Sequence, residues 1–205
     1  LEVFDPRDLK AGGTWLGINE AGVLPAITNR FGANSGEDKT SRGELVFRAL
    51  EHGDSDEAAD AICALDAADY NGFHLAIVSP EAGHIVWNDG QSLHRETIEP
   101  GVTALTDQSF GAGNSGRTEY VEERVSEMIE RGELADDSLR ELLAECDDGT
   151  IERPCIRLEE MNYGTRSSSI IRLGERPEFL FADGQPCDTE YEDLSGELQA
   201  ILSAS

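Results

Sequence analysis

Three features of the sequence predict an α+β fold, with antiparallel sheet and segregated helices packed in layers. Most of the extended apolar runs are joined in pairs by short turns, as the strands of β-hairpins are. Helical patterns also occur in consecutive pairs, whereas a parallel sheet requires helices that alternate with strands. No internal repeat or linker divides the 205 residues, so we expect a single domain over 1–205.

The strands of this fold are predicted from hydrophobic runs bounded by turn residues. Residues 14–19 and 23–29 flank Glu20-Ala21-Gly22, and a second pair of runs flanks Pro80-Glu81-Ala82-Gly83. Such turns favour antiparallel pairing of the two runs that they connect. The remaining predicted strands are 73–79, 84–89, 93–98, 102–106, 167–173 and 178–183.

Four amphipathic helices are predicted from apolar residues at helical spacing. Three of them follow a residue pattern in which an N-terminal side chain caps the first turn. The capping pairs are Ser41 with Glu44, Asp54 with Glu57 and Ser138 with Glu141, and the fourth helix covers 118–131.

The charge of the sequence excludes some partners and indicates a habitat. There are 42 acidic and 16 basic residues, and Lys10 and Lys39 are the only lysines. A formal charge of −26 disfavours nucleic acid and anionic membranes, which require clustered cations. Acidic residues spread evenly along a globular chain favour a high-salt cytoplasm, where the Debye length falls to about 3 Å at 1 M salt; an acidic mesophilic protein is the alternative. A melting curve unchanged between about 0.1 M and 3 M KCl would exclude the halophilic interpretation.

The cysteines and histidines do not predict a metal site or a cofactor. Cys63, Cys146, Cys155 and Cys187 contain no Cys-x-x-Cys pair, and none lies at ligand spacing from a histidine. Cys63 and Cys146 are expected on apolar helix faces, as small hydrophobic residues. The sequence has no signal peptide and no apolar run of the ~20 residues that a membrane span needs, so a cytoplasmic location is expected.

Four segments identify a family resemblance. They are Gly-Gly-Thr-Trp-Leu-Gly-Ile-Asn-Glu-Ala-Gly-Val-Leu-Pro-Ala-Ile-Thr-Asn-Arg (12–30), Ser-Arg-Gly-Glu-Leu (41–45), Tyr-Asn-Gly-Phe-His-Leu (70–75) and Tyr-Gly-Thr-Arg-Ser-Ser-Ser-Ile-Ile-Arg-Leu (163–173). With these segments the chain resembles the NRDE family, also called the transport and Golgi organisation protein 2 family. The resemblance implies a fold like that of the N-terminal nucleophile hydrolases: an αββα sandwich of two mostly antiparallel sheets.

The resemblance also implies an activity and a gap. The family normally begins with Met-Cys on a first strand, followed by Asn-Arg-Asp-Glu, and neither is present in these residues. We therefore expect that the first strand or strands are missing, and that the chain alone is inactive, because the cysteine nucleophile and its α-amino base occupy one terminus in such hydrolases. Turnover of a penicillin or an acyl-amino acid by these 205 residues would contradict this expectation.

Candidate catalytic residues follow from the same resemblance. Asn29 lies where related hydrolases have a strand-end asparagine facing the nucleophile, so its amide is expected to stabilise an oxyanion, or else simply to end the strand. Asp107 lies where a second asparagine is usual, and an ionised carboxylate accepts hydrogen bonds but cannot donate them. Arg166 is expected either to clamp an anionic ligand or to pair with a surface carboxylate.

Trp15 and Arg30 are the candidate ligand-binding residues. We predict that Asn29, Arg30, Asp107 and Arg166 converge at one end of the sheets and bind a small anionic or amide-containing molecule; separate surface ion pairs of the two arginines are the alternative. Two functions remain open: an amidohydrolase of the N-terminal nucleophile type, or a non-enzymatic binding or trafficking protein for haem or a lipid or acyl-CoA-like ligand.

Overall fold

The computed structural model describes residues 3–4, 13–33, 36, 38–113, 116–147 and 149–204. Within the chain, two compact units are distinguished. The first unit comprises 1–100, 105–114 and 200–205, and the second comprises 101–104 and 115–199. The single-domain organisation stays a prediction.

The first unit is built on a four-stranded antiparallel sheet with strand order β3-β4-β5-β6. Two short strands, β1 and β2, pair with each other before it. The six strands are β1 (Val3–Phe4), β2 (Ile18–Asn19), β3 (Leu24–Asn29), β4 (Phe73–Val78), β5 (Gly83–Asn88) and β6 (Leu93–Thr97). The hairpin predicted over 73–89 is confirmed, with Val78 opposite Gly83 at its turn.

Two helices cover one face of this sheet, α1 (Gly43–Leu50) and α2 (Ser55–Cys63). Side chains of a strand alternate between the two faces, and in β4 Phe73, Leu75 and Ile77 face the helices and are fully buried. They belong to one apolar cluster with the inner residues of α1 and α2. This cluster is the core of the unit, and it fixes the register of the strands.

Buried and capping side chains determine where these elements turn. The Asn19 amide donates to the carbonyls of Leu50 and His52, while its oxygen accepts the N–H groups of Ala21 and Val23. The sequence prediction of Asp54 as an N-cap is confirmed, because its carboxylate accepts from Glu57 N at 2.8 Å. The capping box predicted at Ser41 is wrong: α1 begins at Gly43 without a side-chain cap.

The second unit contains two helices, a three-stranded sheet and a short hairpin. The three-stranded sheet has the order β11-β10-β9, and β7 pairs with β8. Helix α4 packs against β9 and against α3. The elements of this unit are α3 (Gly116–Arg131), α4 (Asp136–Ala144), β7 (Arg157–Leu158), β8 (Tyr163–Gly164), β9 (Ser168–Arg172), β10 (Glu178–Ala182) and β11 (Glu192–Asp193). A further helix, α5 (Ser195–Leu202), begins in this unit and includes residues 200–202, which are assigned to the first unit.

The α+β class and the antiparallel sheets are confirmed, and each unit has the helix-on-sheet layer that a layered sandwich needs. Two elements of the structure differ from the sequence prediction. Residues 102–106 form no strand, because Ala104 N and Thr106 N donate to the side chains of Glu122 and Ser109 instead of a neighbouring strand. Helix α4 begins two residues before Ser138, whose hydroxyl accepts from Ala135 N and so belongs to the first turn.

None of the helices in the described ranges is long and apolar enough to cross a bilayer.

Candidate functional site

A concave pocket of about 240 Å³ lies in the first unit, where β3 ends and α1 begins. We call it the β3–α1 pocket. Its described lining comes from three stretches of chain and one further asparagine: Gly13 to Trp15, Ile27 and Asn29 of β3, Gly36 and Lys39 to Gly43, and Asn71. The two predicted residues Trp15 and Asn29 therefore lie in one pocket.

Close contact between two glycines holds the walls of this pocket together. A Cβ atom on Gly13 would lie 2.9 Å from Gly43 Cα, and a Cβ atom on Gly43 would lie equally close to Gly13 Cα. Side chains cannot be accommodated at that distance, so the two backbones pack directly on each other. The segments Gly13-Thr14 and Ser41-Arg42-Gly43 are thus neighbours in space, and they form one side of the pocket.

Asn29 and Trp15 present unused binding groups to the pocket. The Asn29 side chain is exposed and makes no hydrogen bond within the described part of the chain. Trp15 is 50% exposed, although its backbone oxygen accepts from Ile27 N at 2.8 Å and so anchors it beside β3. An amide with free donors next to an exposed indole ring can bind a carbonyl or carboxylate group together with an apolar part of a ligand.

The charge of the pocket is positive. Lys39 and Arg42 line it, and none of its described lining residues is acidic. Arg42 is half-buried and donates to Gly72 O at 2.9 Å, and the ammonium of Lys39 donates to Ala68 O. Burial lowers the pKa of Arg42 from its ordinary value, yet a guanidinium stays protonated in proteins, so the cation is retained.

Arg30 lies in a different place, on the opposite face of the sheet from Phe73. Its guanidinium donates to His74 Nε2 at 2.8 Å, to Ser109 O at 3.0 Å and to Phe110 O at 2.8 Å. Phe110 has a left-handed backbone with φ of +50°, and its ring stacks on Trp87 at 4.5 Å. Arg30 therefore holds a strained loop against the sheet, and this is the role that its contacts show.

His74 and Asp107 complete this second group. His74 Nε2 lies 2.8 Å from Arg30 Nη1 and 3.0 Å from Ser109 O, so it accepts from the guanidinium in one tautomer and donates to the carbonyl in the other. Burial lowers the pKa of His74, and the Arg30 charge lowers it further, whereas the Asp107 carboxylate opposes the shift. Asp107 also anchors the loop, because its backbone oxygen accepts from Phe31 N at 2.8 Å.

Arg166 belongs to the second unit, where it lines a pocket of about 570 Å³ between β7, β8 and the segment 184–188. It is exposed, and it makes no ion pair within the described ranges. The alternative that Arg166 pairs with a surface carboxylate is therefore not what the structure shows. Its convergence with Asn29 stays a prediction, because the two residues belong to separate units.

Comparison with known proteins identifies the family. The family model described as Transport and Golgi organisation 2 matches residues 1–184. The chain belongs to the Transport and Golgi organisation 2 family. All four segments that carry the resemblance lie inside the matched range.

Three curated relatives of the family match this chain to different extents. The Transport and Golgi organization protein 2 homolog of Bos taurus is 29% identical over 229 residues, covering 96% of this chain and 78% of that protein. The Mus musculus Transport and Golgi organization 2 homolog is 32% identical over 117 residues, which cover 56% of this chain and 41% of that protein. The Homo sapiens homolog is 31% identical over 117 residues, with the same coverage.

The second unit contains a cluster of three cysteines that the sequence did not predict. The Sγ atoms of Cys146, Cys155 and Cys187 lie within 4.8 Å of one another. The sequence predicted no metal site because no pair has metal-ligand spacing, and it placed Cys146 on a helix, whereas α4 ends at Ala144. The three residues are 9 and 32 positions apart, so no local pattern could have predicted their contact.

Proposed function

We propose that this member of the Transport and Golgi organisation 2 family binds a small anionic molecule in the β3–α1 pocket. The observation that carries the proposal is the charge of the lining: Lys39 and Arg42 are present and no described lining residue is acidic, in a chain with 42 acidic residues. A local positive potential in a strongly negative protein concentrates anions at that place.

The other lining groups indicate what the rest of the ligand is like. Asn29 offers amide donors to a carbonyl oxygen, and Trp15 offers an apolar surface beside it. The pocket volume of about 240 Å³ is suited to a molecule of metabolite size, below the usual range of drug-binding sites. A carboxylate that also carries an amide or ester group would use all of these features.

Amide hydrolysis at the same pocket is the second candidate function. The Asn29 amide supports it, because its side chain has no hydrogen-bond partner among the described residues, and a free donor is suited to stabilise an oxyanion that develops during the reaction. The family resemblance assigns the nucleophile to a cysteine that none of these 205 residues matches. Hydrolysis therefore rests on one donor, whereas anion binding rests on the whole lining.

Binding of haem or a lipid has less support from the described residues. Sites for such ligands are mostly apolar, whereas this pocket is lined mainly by polar side chains. Two buried histidines, a residue type that ligates haem iron, are engaged elsewhere: His74 contacts Arg30, and His84 contacts Arg95 and Asp56.

The proposal is tested with N-acetylglycine, a small carboxylate with an amide, and with its uncharged counterpart N-acetylglycinamide. We expect N-acetylglycine to raise the melting temperature of the chain and to change its tryptophan fluorescence, and N-acetylglycinamide to do neither. The variants Lys39→Gln and Asn29→Ala should weaken binding at least about tenfold, which corresponds to the loss of one charge-assisted hydrogen bond. Titrations are made at one ionic strength, because salt screens this attraction.

The matched control is Arg48→Gln, which removes a cation that belongs to α1 but pairs with Glu44 outside the pocket. This variant should bind N-acetylglycine like the wild type. Trp15→Phe should abolish the fluorescence change without removing the thermal shift. Equal binding by the wild type and Lys39→Gln, or equal binding of the charged and uncharged compounds, would refute the proposal.

A further inference from the structure

We propose that Cys146, Cys155 and Cys187 form a metal–thiolate site for Zn²⁺ in the second unit. Their three Sγ atoms lie within 4.8 Å of one another, and those of Cys155 and Cys187 are 3.2 Å apart. All four cysteines of the chain are free thiols. Among the described residues this is the group of three or more ligand side chains close enough to hold one metal ion.

The spacing of the thiols is that of a metal site. Zinc binds thiolate sulfur at about 2.3 Å in tetrahedral geometry, so two sulfurs on one ion are separated by about 3.8 Å. The Cys155–Cys187 separation of 3.2 Å is slightly below this value and the other two separations are within 4.8 Å, so small rotations about the Cα–Cβ bonds are enough to reach it. Soft thiolate ligands favour Zn²⁺ over the hard ions Mg²⁺ and Ca²⁺, which prefer oxygen.

The backbone fixes two of the ligands with respect to each other. Cys146 and Cys155 form a parallel bridge, in which Cys155 N donates to Glu145 O at 3.1 Å. On the other side of Cys155, Ile156 N donates to the Thr165 hydroxyl at 2.9 Å. Ligands held in this way lose little conformational freedom when the ion binds, which favours binding.

Arg157 positions the third ligand and balances the charge. Its guanidinium pairs with Asp188 and donates to Gln185 Oε1 at 3.0 Å, so it ties the segment that carries Cys187 to β7. Its Nη2 lies 3.5 Å from Cys187 Sγ. A zinc ion with three thiolates has a net charge of −1, and a guanidinium in contact with one of the sulfurs stabilises that charge.

Metal binds cysteine as the thiolate, whereas a free thiol is mostly protonated at neutral pH. Binding therefore exchanges protons for metal: Zn²⁺ and three thiols give one zinc tris-thiolate and three released protons. The fourth coordination position is left to water or to another exchangeable ligand, as in zinc sites that keep an open position.

The test uses the full chain, purified under reducing conditions and freed of metal. Co²⁺ is the spectroscopic probe, because tetrahedral cobalt thiolates absorb strongly in the visible and near-ultraviolet. We expect one Co²⁺ per chain with these bands, displaced by stoichiometric Zn²⁺. Cys146→Ser and Cys187→Ser, both at partly exposed positions, should each reduce the affinity at least tenfold.

Cys63→Ser is the matched control, because Cys63 lies in α2 of the first unit, away from the cluster. It should bind Co²⁺ like the wild type. As a second readout that does not depend on folding of the variants, Zn²⁺ should protect Cys146, Cys155 and Cys187 of the wild type from alkylation, mapped by mass spectrometry, and leave Cys63 unprotected. No stoichiometric binding by the reduced chain, or undiminished binding by the cluster variants, would overturn the proposal. A disulfide between Cys155 and Cys187 that persists in reduced glutathione would overturn it as well.

Discussion

The two units of this chain use different interactions to hold their elements in place. In the first unit, α1 and α2 bury an apolar face against the sheet, in a cluster that includes Leu45, Ile62 and Phe73 at 0% exposure. In the second unit, the 16-residue helix α3 has no buried residue, and α4 buries only Leu142. Polar contacts are prominent there instead, such as the Arg153 guanidinium over the Tyr120 ring at 4.1 Å.

This contrast indicates which changes should affect the stability of each unit. Burial of apolar area stabilises the first unit, so its stability should respond to side-chain volume. Ion pairs on an exposed surface contribute little, about 0–1 kcal/mol each, so we expect the second unit to have the lower free energy of unfolding. A metal ion that binds only the folded second unit would raise the free energy of unfolding of that unit by mass action.

The largest loss is expected from Phe73→Ala in β4. Phe73 is fully buried between the sheet and the helices, and its ring contacts Tyr70 edge-on at a centroid distance of 6.5 Å. Removal of a buried phenylalanine leaves a cavity and costs about 3–5 kcal/mol. The denaturant midpoint should fall accordingly, whereas Phe179→Ala in β10 of the second unit should cost less because far fewer described side chains of that unit are fully buried. Equal losses for the two variants would remove the contrast between the cores.

A smaller but still large effect is expected from Asn19→Ala. The variant leaves the carbonyls of Leu50 and His52 and the N–H groups of Ala21 and Val23 without their buried partner. Unsatisfied buried groups cost about 1–3 kcal/mol each, and water entering the site offsets part of this, so we expect roughly 2–4 kcal/mol. Asn71→Ala is the control, since among the described residues the half-buried Asn71 side chain bonds to the backbone of Gly36, and its removal should change the unfolding free energy by less than about 1 kcal/mol.

The pH dependence of stability should report the lowered pKa of His74 in the folded chain. Because the pKa of His74 in the folded chain is lowered from the ordinary value of 6.5, the unfolded chain binds more protons near that pH, so stability rises with pH through this window. The contribution is complete above the unfolded pKa and is lost as pH falls below it. His74→Gln keeps an acceptor for Arg30. In this variant the melting temperature should depend less on pH between about pH 5 and 7 than it does in the wild type.

His84 is the comparison for this experiment, because burial and Arg95 lower its pKa as well, while Asp56 and Asp60 oppose the shift. His84→Gln should therefore remove a separate part of the same slope. If the slope of the wild type persists in both variants, neither histidine is held neutral by the fold.

The smallest effect is expected from Arg172→Gln in β9 of the second unit. Arg172 pairs with Asp136 at 2.6 Å and with Glu178, and all three side chains are partly exposed. The loss in unfolding free energy should be about 0–1 kcal/mol and should shrink further as KCl is added. A loss above about 2 kcal/mol would show that ion pairs stabilise this unit more strongly than exposed pairs usually do.

Local sequence patterns were sufficient where the partner lies a few residues away. Asp54 caps α2 through Glu57, three positions on, and the strands around Pro80 to Gly83 pair across a short turn, so both features could be predicted. Ser41 has the same type of pattern as Asp54 but does not cap α1, because the close contact of Gly43 with Gly13 sets where that helix begins. A tertiary contact there outweighs the local preference.

The candidate site was predicted in part. The family motifs indicated Asn29 and Trp15, and these do share a pocket, but its cations Lys39 and Arg42 come from the loop before α1 and were not anticipated as ligand-binding residues. Arg30 is adjacent to Asn29 in sequence yet contacts His74 on the other face of the sheet, because side chains of an extended chain alternate in direction.

The sequence by itself determined the fold class, the hairpins, the helix pairs and the strongly acidic charge, because each depends on composition or on residues within one or two turns of each other. Only the tertiary structure decided which distant side chains meet. Cys146, Cys155 and Cys187 converge through a parallel bridge and an arginine that ties a loop to β7, and Arg30 reaches Ser109 and Phe110 from the end of β3. Such contacts depend on how separate elements pack, and residue spacing along the chain does not predict that packing.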